Sequence, residues 1–159
     1  MKEKLLVLVF LVILSASSGC IERETSFLLR LESLDNGKVL LDVPVKPGDQ
    51  IYLDWIHSSA KTPVVDIFEV ASNGEMILVE EDYQWYGPGL EFMNYEGVCV
   101  APKDKTYTKT VLERCFPYLL LRVGWVANQR LTVNDRTIPL NKIAEGGELL
   151  KIWIVEAGE

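Results

Sequence analysis

The stretch SFLLRLESLDNGKVLLDVPV, residues 26–45, decides the fold of this chain. Two apolar-rich runs, residues 26–34 and 38–45, flank the sequence Asp-Asn-Gly at residues 35–37. Asn or Asp followed by Gly is typical of the tight turn between two antiparallel strands. The stretch therefore predicts a β-hairpin, and similar turn signals between apolar runs recur along the chain.

Further turn signals divide the rest of the chain into short predicted strands. The tetrapeptides Lys-Pro-Gly-Asp at 46–49 and Ser-Asn-Gly-Glu at 72–75 act as turns, and Asn-Asp at 134–135 predicts another hairpin. Only residues 108–115 are compatible with a short helix. The remaining strands are predicted at residues 50–58, 63–71, 76–85, 98–101, 118–126, 129–133, 136–140 and 149–155. This spacing predicts an all-β fold, an antiparallel β-sandwich or partly open barrel of about 8–10 short strands.

The N-terminus is predicted to be a lipoprotein signal peptide at residues 1–19. Lys2 and Lys4 precede an apolar run at residues 5–14, about half of the roughly 20 residues that a spanning helix needs. Ser-Ser-Gly followed by Cys20 resembles the lipobox of lipoprotein precursors, in which the cysteine becomes the lipidated first residue. An ordinary secretory signal, cleaved nearby, is the alternative. Residues 20–25 then form the lipidated cysteine and a short tether, and residues 26–159 form one β-sandwich domain.

Export and charge together limit the partners. Loss of the leader removes Lys2, Lys4 and Glu3, so the formal net charge changes from -7 to -8. Nucleic acids and anionic lipid headgroups bind clustered Lys and Arg, which this chain lacks. We therefore expect an exported protein, anchored to the outer face of the cell membrane through lipid on Cys20, with no nucleic-acid partner.

The two remaining cysteines are predicted to form a disulfide. Cys99 and Cys115 would lie in an oxidising compartment after export, where paired thiols are usually oxidised. Two cysteines and a single distant histidine do not match the ligand spacing of a zinc site. We expect neither a metal nor another cofactor.

The segment WIHSSAKTPVVD, residues 55–66, contains the only histidine of the chain. Strand alternation places His57 on the apolar face and Ser58 on the opposite face, so the two do not form a nucleophile and base pair without a sharp turn. A structural histidine at the rim of the core is the first interpretation. Binding of a small organic anion by His57 with Lys61 is the second, and a hydrolase using His57, Ser58 and Asp66 is the third.

Aromatic residues cluster around the Gly-Pro-Gly turn at residues 87–89. Tyr83, Trp85 and Tyr86 precede this turn, and Phe92 and Tyr95 follow it. Such a cluster indicates either an interface or a plug of core side chains beneath a loop. Trp125 and Trp153 stand in apolar contexts and are predicted to lie in the core.

The sequence HSSAKTPV, residues 57–64, resembles the His-Ser and Thr-Pro signature of domain-of-unknown-function family 1850. The resemblance continues through Gly-Pro-Gly-Leu at 87–90 and Leu-Leu-Leu-Arg at 119–122, and so covers most of the mature chain. Members of that family are small exported proteins, often associated with TRAP transporters of the TAXI type. The resemblance implies a non-enzymatic accessory protein that binds the transporter permease or its substrate-binding protein. The signature positions carried over as candidate binding residues are His57, Ser58, Thr62, Pro63, Gly87 and Gly89.

Overall fold

The computed structural model describes residues 27–85 and 89–158. Cys20, the predicted leader and tether, and Gly87 lie outside the described residues. One 3-10 turn, Leu140–Lys142, is present among them. The strands of the described chain are β1 (Phe27–Ser33), β2 (Val39–Val45), β3 (Gln50–Ile56), β4 (Pro63–Val70), β5 (Met76–Tyr83), β6 (Cys99–Pro102), β7 (Thr108–Phe116), β8 (Leu119–Arg122), β9 (Arg130–Val133), β10 (Arg136–Pro139) and β11 (Leu149–Glu156).

Two antiparallel sheets pack against each other and do not close into a barrel. The four-stranded sheet has the order β2-β1-β11-β8, and the seven-stranded sheet has the order β10-β9-β3-β4-β5-β7-β6. The predicted all-β antiparallel sandwich is therefore confirmed, and the alternative of a barrel is excluded.

The core lies between the two sheets because apolar residues alternate along the strands. Leu29 and Leu31 of β1 are fully buried, and Ile51 and Leu53 of β3 face them from the other sheet. Full burial of one such aliphatic side chain contributes about 1.5–3 kcal/mol. The period of two in the sequence thus determines which face of each strand is internal.

Two predicted hairpins have the backbone that their turn residues favour. Asn134 and Asp135 adopt φ values of 48° and 60° between β9 and β10, as a type I′ turn requires. Gly74, with a φ of 80°, turns β4 into β5, and a methyl group on it would come within 3.0 Å of the Phe27 ring. Here glycine supplies both the left-handed backbone and the space for a core side chain.

The short helix that the sequence of residues 108–115 allows does not form. This segment is strand β7, and it pairs with β5 on one side and with β6 on the other. Thr110 and Leu112 alternate into the core, while Val111 and Glu113 are exposed. Two hydrogen-bonded neighbours and a period of two outweigh a weak local helix propensity.

The predicted disulfide is also wrong, because Cys99 and Cys115 are both free and exposed. The register places Cys99 opposite Val111 on the neighbouring strand. Cys115 lies four residues further along β7, a separation of roughly 13 Å at the strand rise. Disulfides require Cα atoms within about 7 Å, so the sheet register separates the two thiols.

Trp125 is exposed over 84% of its surface, so its predicted place in the core is wrong. β8 ends at Arg122, short of the predicted end of that strand. The Gln129 side chain bonds to the backbone at the end of β8. It accepts a hydrogen bond from Gly124 N at 2.9 Å and donates one to Arg122 O at 3.1 Å. These bonds hold residues 123–128 as a loop.

The sandwich has two distinct ends. At the Phe27 end lie the start of β1, the end of β11 and the β4–β5 hairpin. At the opposite end, called the distal end below, three segments meet: residues 57–62, 123–128 and 143–148. None of the described helical segments has the length and hydropathy needed to cross a membrane.

Candidate functional site

The signature loop, residues 57–62, is a tight connection between β3 and β4 at the distal end. The backbone N–H of His57 donates to Thr62 O at 2.9 Å, and Lys61 N donates to His57 O at 2.8 Å. Lys61 adopts a φ of 57°, a left-handed conformation that closes the turn. The six residues are therefore fixed by their own backbone.

His57 organises this loop with its side chain. The imidazole is 5% exposed and stacks on Trp55, with the ring centroids 5.7 Å apart. Ala60 N donates to Nδ1 at 3.3 Å, and Ser59 Oγ lies 3.0 Å from the same atom. Because a backbone N–H only donates, Nδ1 is the acceptor of the Ala60 hydrogen bond.

The structure brings together only some of the predicted site residues. Ser58 is exposed, and the hydroxyl that reaches His57 belongs to Ser59 instead. Lys61 is exposed, whereas Pro63 is half-buried and begins β4. Thr62 is half-buried, and its hydroxyl has no hydrogen-bond partner among the described residues.

Gly89 lies apart from the signature loop, in the segment that follows β5. It is exposed and adopts a φ of 96°, a backbone conformation that favours glycine. This conformation explains a glycine at position 89 without a ligand.

Two carboxyl groups, Asp66 and Glu81, lie on the face of the sheet that also carries Leu53 and Trp55. They are directly opposite each other on β4 and β5, and we call them the acid pair. Trp55 Nε1 donates to Asp66 Oδ2 at 2.8 Å. Asp66 Oδ1 and Glu81 Oε2 are buried without a hydrogen-bond partner in the described chain. Like charges directly opposite on neighbouring strands repel, so the pair is costly when both groups are ionised.

The environment of the acid pair favours protonation. Burial raises the pKa of Asp66 to about 6, against the opposing effect of the Trp55 hydrogen bond. Burial and then the nearby Asp66 charge raise the pKa of Glu81 to about 7, while Arg114 acts in the opposite direction. Both pKa values are raised, and Glu81 keeps its proton to a higher pH than Asp66 does.

The segment that follows β5 closes over this part of the sheet. Leu90 is buried against Val64 and Tyr83 in a small second core cluster. The Tyr83 hydroxyl donates to Glu91 O at 2.5 Å, and Arg114 pairs with the Glu91 carboxylate at 3.1 Å. This cover lies near the Glu81 carboxyl group, whose pKa Glu91 raises and Arg114 lowers.

The aromatic cluster divides between core and surface. Tyr83 is 2% exposed and belongs to the core, whereas Trp85, Phe92 and Tyr95 are each more than half exposed. Trp153 is half-buried. The described surface therefore presents large apolar side chains at Trp85, in residues 92–95 and in residues 125–126.

Sequence reasoning missed Glu81, whereas Ser59 was expected only to satisfy backbone groups of the connection and instead contacts the His57 ring. Asp66 could have been placed on the core face, because Val64 and Phe68 flank it at a period of two. Glu81 could not, since a bulge between Ile67 and Phe68 shifts the register with β5. Among the described residues, no three His, Cys, Asp or Glu side chains come close enough together to hold a metal ion.

The fold and the site define a small antiparallel β-sandwich with a histidine-organised loop above a buried acid pair. The model of the family DUF1850, Domain of unknown function (DUF1850), matches residues 51–140. The match covers more than half of the chain and includes the signature loop, the acid pair and Trp125. This chain belongs to the DUF1850 family. No curated protein and no solved structure matches it.

Proposed function

We propose that this protein is a lipid-anchored extracytoplasmic accessory protein of a TRAP/TAXI-type solute transporter and acts by protein–protein contacts. The observation that carries the proposal is the group of large apolar side chains on the surface of a small acidic domain. Trp85, Phe92, Met93 and Trp125 are 57–84% exposed. Exposed aromatic and methionine side chains are enriched at protein interfaces, where they bury large areas at low entropic cost.

The leader sequence and the family resemblance support the proposed export, membrane attachment and kind of partner. The charged start, short apolar run and Ser-Ser-Gly-Cys20 sequence favour export and lipidation. Two acyl chains on one cysteine are enough for stable attachment to a membrane. The resemblance to exported proteins found with TAXI-type transporters supplies the kind of partner.

The geometry favours this function over binding of an organic anion at His57. Nδ1 of His57 already accepts hydrogen bonds from its own loop, and the acid pair lies on the same face of the sheet. An ionised carboxyl group on that face would repel an anion. Lys61 is exposed and contributes its charge at the surface only.

The geometry also disfavours a hydrolase that uses Ser58. Nδ1 of His57, the nitrogen that would act as the base, lies beside the Ser59 hydroxyl and accepts a hydrogen bond from Ala60 N. This arrangement satisfies the polar groups of a turn. A serine-reactive probe that labels the wild type but not Ser58→Ala would restore the hydrolytic interpretation.

Isolation of the tagged full chain from membranes of its own cells tests the proposal. After mild chemical crosslinking, we expect the transporter permease or its substrate-binding protein to be recovered with the wild type. We expect Cys20→Ala to lose both membrane attachment and this recovery, and Cys99→Ala, the matched control, to keep both. Recovery of no transporter component with the wild type would refute the proposal.

A further inference from the structure

A short segment after β5 packs on the face of the seven-stranded sheet that carries the acid pair. We call residues 89–95 the cover segment. Its Leu90 side chain is 7% exposed and packs against Val64 and Tyr83, the inward-facing pair next to the acid pair. Met93 of the same segment is 62% exposed. Leu90 therefore provides a buried apolar contact between the cover segment and the sheet.

Glu91 adds two polar contacts between the cover segment and the sheet. The Tyr83 hydroxyl donates to Glu91 O at 2.5 Å, and Arg114 Nη2 of β7 donates to Glu91 Oε1 at 3.1 Å. At the far end of the segment, Asn94 Oδ1 accepts a hydrogen bond from Val100 N at 2.6 Å. The first half of the cover segment thus depends on Glu91 and its neighbour Leu90 for its position.

Glu81 lies on the same face of β5 as Tyr83, at the base of these contacts. Thr110 is directly opposite Glu81 on β7 and is fully buried, and its hydroxyl donates to the Tyr83 oxygen at 3.5 Å. Glu81 is 7% exposed, and its Oε2 atom has no hydrogen-bond partner in the described chain. The carboxyl group is therefore enclosed with one oxygen that lacks a donor.

Acidic groups outnumber cationic groups around Glu81. The charges that act on it come from each neighbouring element: Asp66 of β4, Arg114 of β7 and Glu91 of the cover segment. On the far side of Asp66, Trp55 of β3 donates to Oδ2 at 2.8 Å, and the His57 ring stacks on Trp55. While Glu81 is neutral, the guanidinium group is free to pair with the carboxylate of the cover segment.

Ionisation of Glu81 opposes the docking of Glu91 in two ways. The new carboxylate repels the Glu91 carboxylate, and it attracts Arg114, which then has to serve two acids. A buried ionised carboxyl group without a donor is also costly, and displacement of the cover segment admits water to it. Burial and then Asp66 raise the pKa of Glu81 to about 7, so this change occurs near neutral pH.

We propose that the cover segment responds to pH: it is docked on the sheet while Glu81 is protonated and is released when Glu81 ionises. Release carries Leu90 into solvent and uncovers Val64 and Tyr83, so the domain presents additional apolar surface at higher pH. The inference goes beyond the proposed function, because the movement needs no partner.

Thiol labelling of the purified full chain tests the inference. Leu90→Cys places a thiol at a buried position of the cover segment, and Met93→Cys, the matched control, places one at an exposed position. Peptide mass spectrometry reads each position separately, and the ratio of the two iodoacetamide labelling rates corrects for the pH dependence of the thiol reaction. We expect this ratio to rise about tenfold between pH 6 and pH 8, as Glu81 loses its proton.

Two further variants assign the change to Glu81. With Glu81→Gln, the ratio at pH 8 should stay at its value at pH 6, whereas Glu113→Gln, at an exposed position of β7, should leave the rise intact. Val64→Cys keeps Leu90 in place and reports from beneath the cover segment, and its labelling relative to position 93 should rise in the same way. Circular dichroism at each pH shows whether the domain stays folded.

Three results would overturn the inference. They are the absence of a rise at positions 90 and 64 with the native Glu81, an equal rise in the Glu81→Gln chain, and a rise that accompanies unfolding of the whole domain. None of them depends on recovery of transporter components, so failure of this inference and failure of the proposed function are distinguishable.

Discussion

Replacement of Glu81 by glutamine should change how the stability of the domain depends on pH. Burial and Asp66 raise the pKa of Glu81 from 4.5 to about 7. The folded state therefore binds this proton more tightly than the unfolded state. The stabilisation is fully present below the unfolded pKa and is lost as the pH rises through the folded pKa. The window for Glu81 runs from about pH 4.5 to about pH 7, and Asp66 adds to it between 3.8 and about 6.

The size of the effect follows from these pKa shifts. One unit corresponds to about 1.4 kcal/mol, and part of the Glu81 shift comes from Asp66, which the glutamine no longer repels. We expect Glu81→Gln to be more stable than the wild type by about 2–3 kcal/mol at pH 8. At pH 4.5, where the wild-type pair is protonated, the two proteins should have similar stability. For a domain of this size the difference at pH 8 corresponds to roughly 6–10 °C in Tm.

Thermal or urea unfolding followed by circular dichroism between pH 4.5 and pH 8 measures this difference. Glu113→Gln is the matched control, because Glu113 is exposed on the neighbouring strand β7. The control should track the wild type at every pH. A constant difference between Glu81→Gln and the wild type across the whole range, or destabilisation at pH 8, would refute the interpretation of the acid pair.

The remaining predictions concern the segment that follows β5, the core between the two sheets and the two cysteines. Tyr83→Phe removes the hydrogen bond to Glu91 O and should lower the free energy of unfolding by about 1 kcal/mol, whereas Tyr52→Phe, at an exposed bond, should change it little in the same urea titration. Leu29→Ala should cost about 2–5 kcal/mol by leaving a cavity between the sheets, and a wild-type denaturation midpoint would contradict its burial. Ellman's reagent should titrate Cys99 and Cys115 without prior reduction. A protein mass two hydrogen atoms below that of the fully reduced chain would restore the disulfide.

Turn chemistry and strand alternation carried most of the fold prediction. The Asp-Asn-Gly, Ser-Asn-Gly and Asn-Asp turns each join the strands that they were expected to join, because positive φ values are accessible to few residue types. Alternation along β3 correctly placed His57 on the buried face. These signals come from a few consecutive residues, so they can be interpreted without knowing which distant segments pack against them.

The errors arose where distant segments decide the outcome. β7 forms a strand because β5 and β6 flank it, and the separation of Cys99 from Cys115 depends on the register of that pairing. Trp125 stands in an apolar sequence, but Gln129 and the Gly146–Gly147 backbone hold it at the surface. Gly146 and Gly147 lie 21 and 22 positions beyond Trp125, outside a window of sequence around that residue.

The candidate site was only partly accessible from sequence for the same reason. His57 and its loop were found because the motif is contiguous. The acid pair consists of two residues 15 positions apart, whose opposition depends on a β-bulge between them. A buried carboxyl at a core position, such as Asp66 between Val64 and Phe68, is the one signal that points to it from sequence.

Mass spectrometry of the native protein from fractionated cells is the most direct test of the claim that this domain is exported and works at a membrane. We expect the N-terminal peptide to begin at Cys20, to carry a diacylglyceryl group and to be found in the membrane fraction. An intact chain that begins at Met1, with an unmodified Cys20 and located in the cytosol, would contradict the anchored accessory role.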